Sequence, residues 1–260
     1  MTEAVRIEEL CFSHVASGLP TLDQVTLSIP PGEALALIGP SGAGKTTLLT
    51  LLDGRLRAWR GRVSVLGDAL DPDRAPTRAR RADTGFIFQD FALVERASVL
   101  RNVLNGRLGR MRPLRALLGR PSKDDLAVAR AALADCGIVD LAERRVDSLS
   151  GGQRQRVAIA RCLSQEPRLI LADEPVSNLD PARAAEILSL LTEAARRRGA
   201  TTVFSSHQPD LARRFARRIV GMRNGRIVFD TPTAELTEGA TARLYDDANA
   251  AVQPRLKAVP

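Results

Sequence analysis

The sequence predicts an α/β fold: a mostly parallel sheet, with an antiparallel β subdomain near its start and a helical subdomain inserted into it. Three patterns carry this expectation. Short apolar runs of strand length fill the first third and are separated by turn residues. From about Ser98 to Ala134 the apolar residues recur at three- and four-residue spacing instead, in a helix-rich stretch that runs to about 166. From 168 onward strand-like and helix-like segments alternate, the signature of parallel strands joined by crossover helices.

In chain order, the first strands are read at VRIEEL (5–10), QVTLSI (24–29) and EALALIG (33–39), broken by SGLP and PPGE. GRVSVLG (61–67) and TGFIFQ (84–89) continue the pattern. Helical spacing begins near Ser98, with Leu100, Val103 and Leu104, and returns at Leu126, Ala129 and Leu133 after a basic Gly/Pro stretch, 106–122. RLILAD (168–173) is a continuous apolar run, as a central strand covered on both faces requires. The next helix, 181–198, has Asp180 as N-cap and Pro181 at its first position. TTVFSS (201–206) is another strand, and Asn224-Gly225 between two apolar runs marks a type I′ hairpin. The expected organisation is 1–88 (β subdomain and first part of the core), 89–167 (helical subdomain), 168–240 (second part of the core) and 241–260 (a flexible tail).

Composition narrows the class. At 260 residues, 44% hydrophobic and 26% charged, the chain reads as an ordinary globular protein with enough length for a sizeable core. No apolar run approaches the ~20 residues needed to cross a bilayer. The acidic start, MTEAVRIEEL, has no apolar signal core, and the expected setting is cytosolic. Cys11, Cys136 and Cys162 are widely spaced, which argues against a disulfide framework and a zinc site. The net charge is +8, carried almost wholly by arginine. Acids fall between the basic clusters, and 3% aromatic residues give no base-stacking platform, so no nucleic-acid partner is expected.

The sharpest chemical feature is GPSGAGKT (39–46), which fits G-x-x-x-x-G-K-[ST] between an apolar strand and an apolar helix. Such a loop turns successive N–H groups inward as a nest for polyphosphate, aided by the positive end of the following helix. Gly39, Pro40, Ser41, Gly42, Ala43, Gly44, Lys45, Thr46 and Thr47 are the candidate nucleotide residues, with Thr46 offering a hydroxyl to Mg²⁺. LILADE places Asp173 at the end of a buried strand, as a second Mg²⁺ oxygen ligand, and Glu174 beside it to polarise a water. LSGGQRQRVAIARCL (149–163) opens a second helix on Ser150, Gly151 and Gly152.

GPSGAGKT, LSGGQ and LILADEP, in that order, make the chain resemble the ATP-binding subunits of ABC transporters over residues 3–238. The resemblance implies a RecA-like P-loop NTPase core that binds ATP and Mg²⁺ and hydrolyses ATP. It implies that Gln89, in FIFQD, senses Mg²⁺ and water, and that His207, in SSHQ, contacts the γ-phosphate. By the same likeness, Ser150, Gly151, Gly152 and Gln153 meet the ATP held by a second copy, and Asp180, in SNLDP, lies in the loop that crosses that interface. Phe12 stands where an aromatic residue meets adenine, and Cys162 replaces a common alanine as a small buried thiol. The implied assembly is a homodimer on the cytoplasmic face of the inner membrane, bound to a separate integral-membrane permease and served indirectly by an extracytoplasmic substrate-binding protein.

Within the transporters, residues 86–110, LADEPVSNLDP and SSHQPDLA resemble the phosphonate-import subunits. Asn178 in SNLD departs from that pattern and resembles the subunits of lipoprotein release and drug export, the alternative reading. A permease-free ABC ATPase is a more remote one. The basic stretch 106–122 reads as a solvated surface.

Overall fold

The computed structural model describes residues 3–15, 18–177 and 179–250, with side chains described through Tyr245. Asn178 and the part of the expected tail beyond 250 lie outside the described residues. The elements follow in order: β1 (Val5–Phe12), β2 (Leu22–Ile29), β3 (Ala34–Ile38), α1 (Lys45–Leu52), β4 (Arg60–Val65), β5 (Asp68–Ala69), α2 (Arg78–Asp83) and β6 (Thr84–Ile87). Next come α3 (Val99–Asn105), α4 (Pro113–Leu117), α5 (Lys123–Asp135) and α6 (Gly151–Ser164). The chain then returns to β7 (Leu169–Ala172), α7 (Pro181–Arg197), β8 (Thr201–Ser206), α8 (Pro209–Phe215), β9 (Arg218–Arg223), β10 (Arg226–Pro232) and α9 (Glu238–Ala250).

Two sheets form. The central one has the order β10-β9-β3-β8-β7-β6, parallel except for the antiparallel β9–β10 hairpin. The smaller one, β2-β1-β4-β5, is antiparallel. Strand periodicity divides the core between the two faces of the central sheet. Leu35, Leu37, Leu169, Leu171, Val203 and Met222 pack with α1 and the small sheet. Ala36, Ile38, Ile170, Ala172, Phe204 and Ile219 pack with α5, α6 and α7 on the other face. The runs that read as continuously apolar are therefore buried on both sides.

Local chemistry explains most element ends. Ser122 and Ser150 each close a capping box on α5 and α6, and Asp180 accepts from the Arg183 N–H at the start of α7. Asn224 (φ 49°) and Gly225 (φ 76°) both take the left-handed backbone that the hairpin reading required. The C-termini of β3, β6, β7 and β8 converge on one edge, where a parallel sheet gathers its ligands.

Three expectations need correction. Residues 241–250 are not a flexible tail but the greater part of α9, anchored by Leu244, which is 2% exposed. The stretch 106–122 is not uniformly solvated. Arg107 is buried between Asp125 and Glu166, while Arg110 pairs with Asp83 and ties the insertion to the core. Phe12 is also buried, because a register shift in β1 between Ile7 and Leu10 rephases the strand. Leu10 and Phe12 thereby join Val5 and Ile7 on the inward face.

Candidate functional site

The site is assembled at the end of β3. Ile38 is the last strand residue, and the chain must then turn back tightly enough to start α1 at Lys45. Gly44 adopts φ 100°, and a Cβ there would stand 2.8 Å from the Thr21 carbonyl oxygen. Only glycine fits that combination. The turn is held from outside by the β-hairpin, whose Gly225 N–H donates to the Ala43 carbonyl at 3.1 Å. Ser41, Gly42 and Thr46 remain exposed on its open side, and nothing lies within 4 Å of a Cβ placed at Gly42.

Lys45 is only 5% exposed. Its ammonium donates to the carbonyls of Gly39 at 2.8 Å and Pro40 at 3.0 Å, so the charge rests on the loop's own backbone. Burial lowers its pKa, while the carboxylates of Glu174 and Asp173 act in the opposite sense. An anion entering the loop would find an ammonium already desolvated and aimed.

The acidic side comes from the neighbouring strands. Asp173 immediately follows β7, and its Oδ1 accepts from Thr46 Oγ1 at 3.0 Å and from Ser205 Oγ at 2.8 Å. Ser205 Oγ also accepts from the Glu174 N–H at 2.8 Å, so one buried hydroxyl fixes both acids. Glu174 has φ 43°, a left-handed conformation that is costly for a residue with a side chain. Its carboxylate lies 3.7 Å from His207 Nδ1, just beyond β8. Thr46 and Asp173 therefore offer two converging oxygen donors, a set suited to a hard divalent cation that keeps other positions for water and phosphate. Among the described residues there is no cluster of three or more His, Cys, Asp or Glu side chains that would hold a metal alone.

The remaining candidates are placed differently. Gln89 is exposed two residues past β6. Ser150 and Gln153 bond to each other across the α6 N-terminus, with Ser150 N–H donating to Gln153 Oε1 at 3.0 Å. The Gln153 side chain is thus engaged in capping its own helix. Gly151 and Gly152 have open space around them, and their N–H groups have no partner within the helix. No hydrogen bond or ion pair among the described residues joins 150–153 to the loop 39–47. Asp180 caps α7 and is exposed. Cys162 is buried with its thiol pushed up to about 12, consistent with a packing role.

Sequence reasoning missed three contributors. Ser205 looked like an ordinary residue of a buried strand. Gln155, in the second turn of α6, donates its side-chain amide to the Pro175 carbonyl and links that helix to the turn after Glu174. His14, not Phe12, is the exposed aromatic at the end of β1, with its ring edge-on to Phe12 at 4.9 Å. That end lies beside the loop, because the Phe12 carbonyl accepts from the Thr21 N–H and Thr21 abuts Gly44. Two-residue alternation along the rephased β1 was the available signal for Phe12; nothing local marked the others.

Residues 22–177 match the family model described as ABC transporter. The phosphonates import ATP-binding protein of Thiobacillus denitrificans is 46% identical over 229 residues, covering 88% of each chain. Among solved structures, cbiO1 from Clostridium perfringens, part of an ABC transporter complex, superposes with a TM-score of 0.80 at 28% identity, covering 97% of this chain and 96% of that one. The ATP-binding cassette MJ0796, a dimer in a post-hydrolysis state with ADP and Pi, gives a TM-score of 0.73 at 28% identity and covers 88% of this chain and 98% of its own.

Proposed function

The chain belongs to the ABC transporter family, and from that premise we propose that it is the ATP-hydrolysing subunit of a phosphonate importer. The observation that supports hydrolysis is the chain of bonds from Thr46 through Asp173 and Ser205 to Glu174, set against the glycine-rich loop 39–47. The substrate assignment rests on the 46% identity, across 88% of both chains, to a phosphonates import ATP-binding protein.

Gly39 to Thr47 hold the ATP phosphates through backbone N–H groups and Lys45, whose ammonium keeps two N–H donors on the Gly39 and Pro40 carbonyls and has a third for a phosphate oxygen. Thr46 and Asp173 are the residues that would hold Mg²⁺, which when bound neutralises charge building on the transferring phosphoryl group. Glu174, anchored through its N–H, accepts the proton of the attacking water. His207 and Gln89 orient that water and the γ-phosphate. His14 replaces Phe12 as the aromatic face for adenine.

The exposed N-terminus of α6 completes a site on a second copy. Gly151 and Gly152 present free N–H groups to its γ-phosphate, and Asp180 lies at the same interface. No described helix is long and apolar enough to cross a membrane. By likeness to the phosphonates import relative, a separate permease and, through it, a substrate-binding protein are assigned to the assembly, with this subunit on the cytoplasmic membrane face. A cavity of about 560 Å³ lined by Asp53, Arg57, Phe88, Asn105 and Arg161 lies where the core meets the helical insertion and is assigned to a permease helix.

The test is uptake of a labelled alkylphosphonate by cells lacking this gene and any other phosphonate system, complemented with wild type or Glu174→Gln. Uptake restored by wild type alone supports the reading. Uptake that survives the deletion removes the substrate assignment, and full activity of Glu174→Gln removes the base.

A further inference from the structure

Helix α9 reaches back to the nucleotide loop. Leu244 is buried and seats the helix against the core, and Tyr245 packs beside it. The hydroxyl of Tyr245 accepts from the Gly39 N–H at 3.1 Å. Gly39 is the first residue of the loop, and its carbonyl is the one that accepts from Lys45 Nζ at 2.8 Å. The residue is also confined sideways: a Cβ there would come within 2.1 Å of the Met222 carbonyl oxygen on β9. A single glycine is thus held on its N–H by the C-terminal helix and on its carbonyl by the phosphate-binding lysine. Burial raises the Tyr245 pKa; the Gly39 N–H opposes that shift and the Glu174 carboxylate adds to it, with the net direction upward, so the hydroxyl stays protonated.

We infer that Tyr245 is a positioning residue for nucleotide binding, its hydroxyl fixing the Gly39 backbone so that Lys45 is pre-aimed into the loop. Docking of α9 and occupancy of the loop are then linked, and each must tighten the other by the same factor. The inference rests on the nucleotide-site reading above. It gives the C-terminal helix a role in ATP affinity that the motifs themselves do not contain.

Tyr245→Phe in the full chain keeps the ring and removes only the acceptor. The Kd for a fluorescent N-methylanthraniloyl ATP and the KM for ATP are both expected to rise about fivefold, the effect of one lost net hydrogen bond. The kcat should stay at the wild-type value, and the melting temperature should fall by no more than about 2–4 °C. Equal affinities in the two proteins would overturn the inference while leaving the nucleotide site intact. Failure of wild type to bind the probe would overturn both. Tyr245 is the only tyrosine of the chain, so 3-fluorotyrosine labelling gives a single ¹⁹F resonance to follow. That resonance should shift on saturation with ATP in wild type and stay in place in Lys45→Ala. A resonance that saturating ATP leaves unmoved would also overturn the linkage.

Discussion

The two glycine-rich helix starts of this molecule are built in opposite ways. At α1 the loop is enclosed: Thr21, Met222, Gly225 and Tyr245 press on it, and Lys45, Thr46 and Asp173 interlock at its mouth. At α6 the same ingredients, small residues before a helix, face open space, and Ser150 and Gln153 bond to each other. Positive φ values also mark the first loop, at Gly39, Gly42 and Gly44, whereas Gly151 and Gly152 lie in ordinary helical backbone. Gly39 and Gly44 are forced by their own chain's geometry. Gly151 and Gly152 are not, and the proposed second copy is what would meet them.

That contrast is most sharply broken at Gly152, in the first turn of α6. An aspartate there suits the helix dipole and should stabilise the isolated chain by a few tenths of a kcal/mol, about 0.3. Facing the phosphate of a second copy, the same charge should lower ATP hydrolysis by about 100-fold, the scale of losing one such donor. Binding of ATP to the single chain should not change. Steady-state turnover alongside nucleotide titration reads both, and unaltered turnover would mean that this helix end faces no phosphate.

The far end of α1 provides a second contrast, between stability and chemistry. Asp53 is partly buried at the C-cap, where the helix dipole disfavours a negative charge, with Arg55 as its partner. Burial pushes its pKa up to about 6 from 3.8. Folding therefore favours the protonated form. The resulting stabilisation is present below pH ~4, is lost as pH rises through about 6, and amounts to about 2–3 kcal/mol in all. Asp53→Asn should remove that pH dependence and make the protein more stable than wild type at pH 7.5. Urea midpoints at acid and neutral pH test this, and parallel profiles for the two proteins would refute it.

Within the enclosed site, Ser205 separates positioning from binding. Ser205→Ala frees the Glu174 N–H and one side of Asp173. The expected outcome is a kcat lower by about tenfold, since small displacements of a positioned group are costly. Affinity for Mg²⁺-free ATP should be kept. Loss of both together would assign Ser205 to the fold alone.

How legible all this was depends on the range of the interaction. LALI and LILA announced buried parallel strands because both faces of each are covered, and Asn224-Gly225 announced its turn because the required backbone is local. GPSGAGKT and Asp173-Glu174 were readable for the same reason: a contiguous segment supplies the chemistry. Ser205, Gln155 and Tyr245 were not, since each matters through a partner more than 15 residues away. The tail reading failed similarly. Residues 241–250 look polar in isolation, and only the packing of Leu244 reveals the anchor.

The smallest expected effect on nucleotide binding is that of His14, whose ring is in edge contact with Phe12 but has different surroundings. Phe12 is 7% exposed and lies in the core of the small sheet, so Phe12→Ala should cost about 3–5 kcal/mol of stability. His14 is exposed and rests on Phe12 at the edge of the loop, so its removal takes away little packing. If its ring meets adenine, His14→Ala should weaken ATP binding by about fivefold, the low end of the stacking range, with no change in melting temperature. His14→Tyr should restore it, because a phenol ring presents the same kind of face. The useful comparison is between nucleotides: ribose triphosphate, which has no base, should bind wild type and His14→Ala equally. A fivefold loss for both ligands would place His14 on the phosphates, and no loss for either would leave adenine without an aromatic partner on this strand.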